Sequence, residues 1–199
     1  MKIIIDENNG FNGEVNPNEA KITCNPKTPL YTTDLTSCIG LGLIEKTSDG
    51  KVRRGLAKMY CKGDVVFEED DSLTLTEKEL KEADEDLKKF ISYFKEPRAI
   101  LVYTRFKQDN NGDYENPLAK HLTKKLLENH VLLYLSDAIG NKHLIDHLLS
   151  EDPSEIYYKN FGLHHNRISI MHMGRPMEGQ KYGRWLNRNN TDLPLDLNF

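Results

Sequence analysis

Cysteine is scarce in this sequence. Cys24, Cys38 and Cys61 are the 3 present in 199 residues, and no two form a Cys-x-x-Cys pair. An odd, unpaired count argues against a disulfide-stapled scaffold and against a structural zinc site made of thiolates. No apolar run approaches the ~20 residues that a membrane-spanning helix needs. The opening Met1-Lys2-Ile3-Ile4-Ile5-Asp6 turns acidic too soon for a secretory leader. A basic surface is lacking as well: 27 Lys and Arg are interleaved with 31 Asp and Glu, for a net charge of −4. Nothing therefore supplies the phosphate-neutralising face of a nucleic-acid-binding protein. Internal repeats, low-complexity stretches and linkers are absent too, and no motif calls for a cofactor or a metal. What remains is a chain expected in a reducing cytoplasm, with a protein as substrate or partner and neither nucleic acid nor membrane. Hydrophobic residues make up 38% and charged residues 29%. A chain of this size buries about 70% of its unfolded surface, enough for a core without staples. One domain over residues 1–199 is expected.

The pattern of turns and periods divides the chain into three parts. Asn8-Asn9-Gly10 and Asn12-Gly13 signal turns, and Asn25-Pro26 and Thr28-Pro29 mark loops between short strands. Ile39-Gly40-Leu41-Gly42-Leu43-Ile44 alternates large with small, as a buried strand does where another chain segment packs closely. Ser48-Asp49-Gly50 turns it, and Val52 to Tyr60 returns as the second arm of a hairpin. Thr76-Glu77-Lys78-Glu79 is a capping box. Leu80, Ala83, Leu87, Phe90, Ile91 and Phe94 follow it at helical spacing until Glu96-Pro97. A strand is expected at Ala99–Tyr103, and a helix opening at Asn116-Pro117 with Leu118, Leu122, Leu126 and Leu127 on its face. A strand over His130–Leu135 and a short helix over Lys142–Leu149 come next. Strands return at Ile156–Tyr158 and Arg167–His172, and 187–199 reads as a polar loop or tail. The expected fold is α/β, with strands at both chain ends and helices between, packed in layers.

The segment richest in chemistry is Thr32-Thr33-Asp34-Leu35-Thr36-Ser37-Cys38-Ile39. A cysteine enters a buried strand directly after a loop of small polar residues. Hydroxyls and loop N–H groups around a thiol are what an activated nucleophile and an oxyanion site require. A buried structural cysteine is the alternative, since free cysteine is among the most buried residue types. The segment resembles the active-site signature of the chemoreceptor glutamine deamidases (CheD), a family that resembles the cytotoxic necrotizing factor toxins more distantly. The pattern has a Thr, a Leu-Gly-Ser-Cys-Val-like turn into a strand, and a hairpin partner reading Gly-Gly-Leu-Ala-His. The corresponding residues are Thr32, Leu35-Thr36-Ser37-Cys38-Ile39 and Arg54-Gly55-Leu56-Ala57-Lys58. The likeness covers about residues 10–60; beyond that only the order of elements fits.

The resemblance implies a layered α/β/β domain and a cysteine hydrolase acting on protein glutamine side-chain amides. Cys38 is then the nucleophile, and Thr32 orients the catalytic imidazole. Ser37 and Cys38 offer backbone N–H groups to the oxyanion. The family's histidine is replaced by Lys58, and a lysine is protonated at neutral pH and takes up no further proton. It can favour a thiolate by its charge. Three readings stay open: an impaired site, an unusual role for Lys58, or another histidine as base. The non-enzymatic alternative is a protein-binding module, a pseudoenzyme on the same scaffold. The distant toxin likeness is compatible with a bacterial effector, although no signal in the sequence directs export.

Among the seven histidines, His164, His165 and His172 draw attention. On a strand His172 shares a face with Ile168 and Ile170, which points it inward, either as a base for Cys38 or as a satisfied core histidine. His164 is the next candidate. His164 and His165 on a regular strand point to opposite faces, so they do not jointly hold one metal ion. Asp109–Glu115 imitates a calcium loop but carries Tyr114 where the loop needs glycine, so it reads as a solvated turn. Glu68-Glu69-Asp70-Asp71 reads as a solvated acidic loop.

Overall fold

The computed structural model describes residues 1–6, 11–33, 35, 38–59, 75–102, 117–133, 157–165, 167–174 and 186–194. In chain order these form β1 (Lys2–Ile5), β2 (Glu19–Thr23), β3 (Leu30–Thr32), β4 (Ile39–Lys46), β5 (Val52–Met59), α1 (Glu77–Ile91), β6 (Arg98–Val102), α2 (Pro117–Glu128), β7 (Leu132–Leu133), β8 (Tyr157–Leu163), β9 (Arg167–Gly174) and β10 (Leu186–Pro194). The fold is mixed α/β. Among the described residues, six strands form one sheet in the order β1-β2-β5-β4-β6-β7, and four form a second in the order β10-β9-β8-β3. The first sheet is mixed: β1 runs parallel to β2 and β6 parallel to β7, and its other pairs are antiparallel.

The alternation in the β4–β5 hairpin decides what each face of the first sheet touches. Ile39, Leu41 and Leu43 of β4 and Ala57 and Met59 of β5 share one core with Leu87 and Phe90 of α1 and with Leu118, Leu122 and Leu126 of α2. The opposite face presents Ile44, Val52, Leu56, Ile100 and Val102 to Leu30, Phe161, Leu163 and Ile168 of the second sheet. Helices thus cover one side of the six-stranded sheet and the four-stranded sheet covers the other. Gly40 and Gly42 face the second sheet. A Cβ on Gly40 would lie 2.9 Å from Phe161 Cδ1, and one on Gly42 3.1 Å from Phe161 Cζ, so the ring occupies the space their missing side chains leave. Burying each such large side chain contributes about 1.5–3 kcal/mol. The hairpin turn closes through Thr47 and Gly50, and Gly50 adopts a φ of 78°, which glycine reaches without strain.

Helix α1 starts as its sequence predicts. Glu79 N–H donates to Thr76 Oγ1 at 3.3 Å, and Thr76 N–H donates to Glu79 Oε2 at 2.8 Å. The helix ends at Ile91, so Phe94 packs into the core from beyond it, its ring edge-on to Phe90 at 5.7 Å. Leu127 does not belong to the buried face of α2; it is 55% exposed. His130 takes a φ of 58° in the turn that ends α2, so the described strand there begins later, at Leu132. The C-terminal segment expected as a loop or tail instead contains β10, paired antiparallel with β9. An edge strand is held by its backbone ladder on one side only, so a polar sequence such as Asn187-Arg188-Asn189-Asn190-Thr191-Asp192 can fill it. The turn at Asn8–Gly10, the acidic run 68–71, the calcium-like segment 109–115 and the helix expected over 142–149 lie outside the described residues.

Candidate functional site between the two sheets

The crossover from β3 in the second sheet to β4 in the first carries the thiol. Cys38 immediately precedes β4 and is buried, at 5% exposure, in the core between the sheets with Leu30, Leu35 and Phe161. Two residues on, Gly40 is the register partner of Lys58 in β5. Lys58 alternates with Leu56, which faces the second sheet, so Cys38 and Lys58 are diagonal neighbours on one face. Such neighbours stand roughly 7–8 Å apart between Cα atoms, within reach of a lysine side chain. Lys58 is 6% exposed. Its ammonium donates at 2.6 Å to the carbonyl of Thr33, the residue that follows β3, and so ties the first sheet to the second.

Thr32 is fully enclosed at the end of β3, paired with Phe161 of β8. Its hydroxyl donates to the Val15 carbonyl at 2.9 Å. With that proton engaged, Thr32 Oγ1 keeps only acceptor capacity, which suits it to receive an imidazole N–H. The structure therefore brings Cys38, Thr32 and Lys58 to one end of the inter-sheet layer. Ser37 lies outside the described residues.

The histidines separate by register. Strand β8 ends at Leu163, so His164 and His165 occupy the turn before β9 and do not alternate across a strand. Leu163 accepts a hydrogen bond from Arg54 Nη1 at 3.2 Å, and Arg54 pairs with Ile44. Ile44 is six residues along β4 from Cys38, about 20 Å of strand. His164 and His165 thus follow the end of β8 that lies toward Gly42 and Ile44 of β4. His172 lies on β9 as the register partner of Lys159, two residues past the Ile170–Phe161 pair. The same direction along β8 leads past Phe161, Thr32's partner, toward the crossover. His172 is thus at the Cys38 end of the second sheet, two strands from β3. Elsewhere, His121 Nε2 is paired with Asp84 at 2.6 Å, joining α2 to α1.

A residue not singled out from the sequence is Arg54. It has no exposed surface. Its Nη2 donates to the Asn25 carbonyl at 2.5 Å and its Nη1 to Leu163, while Nε has no partner. Burial pushes its pKa down to about 10, and the nearby Cys24 acts in the opposite direction. Among the described residues no carboxylate pairs with it. The signal in the sequence was its parity with Val52 and Leu56 on an otherwise apolar strand face. No group of three or more His, Cys, Asp or Glu among the described residues could hold a metal ion, and no helix there is long and apolar enough to cross a membrane.

The chain matches no protein-family model and no curated protein.

Proposed function

We propose that this chain is a cysteine-hydrolase-like protein acting on glutamine side-chain amides of a protein substrate, in the cytoplasm, on a scaffold resembling the chemoreceptor glutamine deamidases. Cys38 is the nucleophile, Thr32 the acceptor that orients an imidazole, and His172 the base. The observation that carries this reading is the convergence of a buried thiol, an acceptor hydroxyl and an ammonium at one end of the inter-sheet layer. Cys38 Sγ adds to the carboxamide carbon and the carbonyl electron pair moves to oxygen. The C–N bond then breaks, the thiol proton leaves with ammonia, and water hydrolyses the thioester to a carboxylate and the free thiol. A positioned base contributes typically 10²–10⁴-fold to such a step, so His172 is the residue whose loss should be felt most after Cys38.

Ammonia release from a denatured glutamine-rich protein tests the reading. Release by the wild type that disappears in both Cys38→Ser and His172→Ala supports it; equal release by Cys38→Ser overturns it. A second reading is favoured by one observation: the hairpin position that holds histidine in the family holds here a lysine engaged with the Thr33 carbonyl. On that reading the chain is a non-enzymatic protein-binding module. Silence of the wild type on a broad panel of glutamine-containing proteins would place it first.

A further inference from the structure

Among the described residues β1 is the end strand of the six-stranded sheet, in the order β1-β2-β5-β4-β6-β7. The hydrogen bonds to β2 fix which of its backbone groups point outward. Lys2 N–H donates to the Asn18 carbonyl at 2.9 Å and Asp6 N–H to the Ile22 carbonyl at 2.8 Å, with Ile4 in phase between them in a parallel register. Backbone groups of successive strand residues point to opposite sides, so those of Ile3 and Ile5 point away from β2 along the rim of the sheet. Natural edges are commonly blunted by lysine, proline or a bulge at such positions. Here the two outward residues are isoleucines, in a run Ile3-Ile4-Ile5 between Lys2 and Asp6, and Ile5 is 44% exposed. Side chains alternate across the sheet as well. Ile3 and Ile5 pair with Ala20 and Ile22 on the helix side, which places Lys2, Ile4 and Asp6 on the other side. The Thr23 hydroxyl donates to Asp6 Oδ2 at 2.8 Å and steadies that carboxylate, which has acceptor capacity beyond one bond.

We infer that β1 is a pairing edge for a second copy of this chain, the two β1 strands lying antiparallel about a two-fold axis at Ile4. The segment is complementary to itself in that register. Ile3 and Ile5 of one copy exchange N–H···O bonds with Ile5 and Ile3 of the other, and these are the backbone groups that point outward. Lys2 then lies opposite Asp6 of the second copy, and Asp6 opposite its Lys2, on one face. On the other face the exposed Ile5 is covered by Ile3 of the second copy. Centring the pair on Ile3 or Ile5 sets Lys2 or Asp6 opposite Ile4 instead, so the charges select the register. The contact is isologous and closed, so assembly ends at a dimer in which two six-stranded sheets continue into one. One strand and one row of side chains make a small interface, so the dimer is reversible and forms by mass action.

Sedimentation velocity of the folded full-length chain over a rising concentration series tests this. The wild type should pass reversibly from monomer to dimer. Lys2→Glu and Asp6→Lys each set like charges opposite one another at both ends of the seam and should weaken dimerisation by about tenfold or more. An equimolar mixture of the two variants sets a carboxylate opposite an ammonium at both ends again and should recover dimerisation. Ile4→Cys gives a reading that needs neither charge variant to fold. Residues that face each other in a non-hydrogen-bonded antiparallel pair stand about 4.5 Å apart between Cα atoms, close enough for a disulfide. Mild oxidation should link two copies through position 4, as read by mass spectrometry of the unreduced peptides. A wild type that is monomeric throughout the series overturns the proposal. A dimer that both charge variants leave unchanged, a mixture no tighter than its components, or a covalent dimer linked only through Cys24, Cys38 or Cys61 overturns it too.

Discussion

Substituting Gly40 with alanine tests how closely the second sheet packs over the strand that carries Cys38. The added methyl would lie 2.9 Å from Phe161 Cδ1 and 3.0 Å from Leu35 Cδ1. Carbon atoms prefer separations of roughly 3.5–4.0 Å, so both neighbours must retreat by more than half an ångström. Overpacking of this kind costs about 1–3 kcal/mol. Removing a glycine from a strand interior returns roughly 0.5–1 kcal/mol, so the net loss should fall between nearly nothing and ~2.5 kcal/mol. A double-mutant cycle with Phe161 isolates the contact itself. Phe161→Leu removes the ring edge that the methyl strikes and pays its own cavity cost. In that background Gly40→Ala should become neutral or stabilising, with a coupling of about 0.5–3 kcal/mol. Urea denaturation of the four proteins, with equal m-values, supplies the energies. Strict additivity would refute the account, because the methyl and the ring would then not meet.

Three further outcomes are expected. Glu45→Ala should lose about 1.5–3 kcal/mol, because this buried carboxylate accepts from Arg53 at 2.7 Å and from the backbone of Lys95 and Glu96; Glu45→Gln should lose less, and an unfolding midpoint unmoved by Glu45→Ala would contradict the role. Thr76→Ala should cost about 1 kcal/mol through loss of the capping box, and Thr76→Ser should restore it, as read by thermal unfolding. Arg54 titrates in the folded chain at about 10 and in the unfolded chain higher, so the unfolded state holds more protons only above pH 10, and there the contribution of Arg54 to stability rises with pH. The stability difference between wild type and Arg54→Met should therefore be flat from pH 5 to 9, and a slope in that range would mean that a second group titrates with it.

Local chemistry made much of the fold legible. The capping box of α1, the β4–β5 hairpin and the alternating glycines each rest on residues near one another in sequence, and each is found where the sequence puts it. Partner choice was less legible because it is decided by surfaces far apart in the chain. Nothing in Lys2-Ile3-Ile4-Ile5 says that it runs parallel to β2, and the polar Leu186–Pro194 segment gives no apolar alternation from which to read an edge strand. The sequence reads His164 and His165 as strand residues, because the apolar pattern does not mark Leu163 as the end of β8.

The candidate site divides in the same way. Thr32 and Cys38 lie six residues apart, and the resemblance to a known signature suffices to group them. The engagement of Lys58 depends on the carbonyl of Thr33, which follows β3, and no local pattern joins the two residues. The two buried cations of β5 make the point sharper. Arg54 and Lys58 are four residues apart on one face, so about 13 Å of strand separates two positive charges in the same inter-sheet layer. Both spend donors on backbone carbonyls: Arg54 on Asn25 and Leu163, Lys58 on Thr33. Carbonyl acceptors fix a cation's position without neutralising it. At Arg54, where exposure is nil, the result is a cross-link between the β2–β3 loop, β8 and β5. At Lys58, 6% exposed, the same device ties β5 to the residue that follows β3. Exchanging the two residues tests that division: Arg54→Lys replaces the fork that reaches two carbonyls and should weaken folding, as read by urea denaturation, more than Lys58→Arg, which keeps a donor for the one carbonyl of Thr33. A larger loss from Lys58→Arg than from Arg54→Lys would contradict the assignment of the cross-link to Arg54.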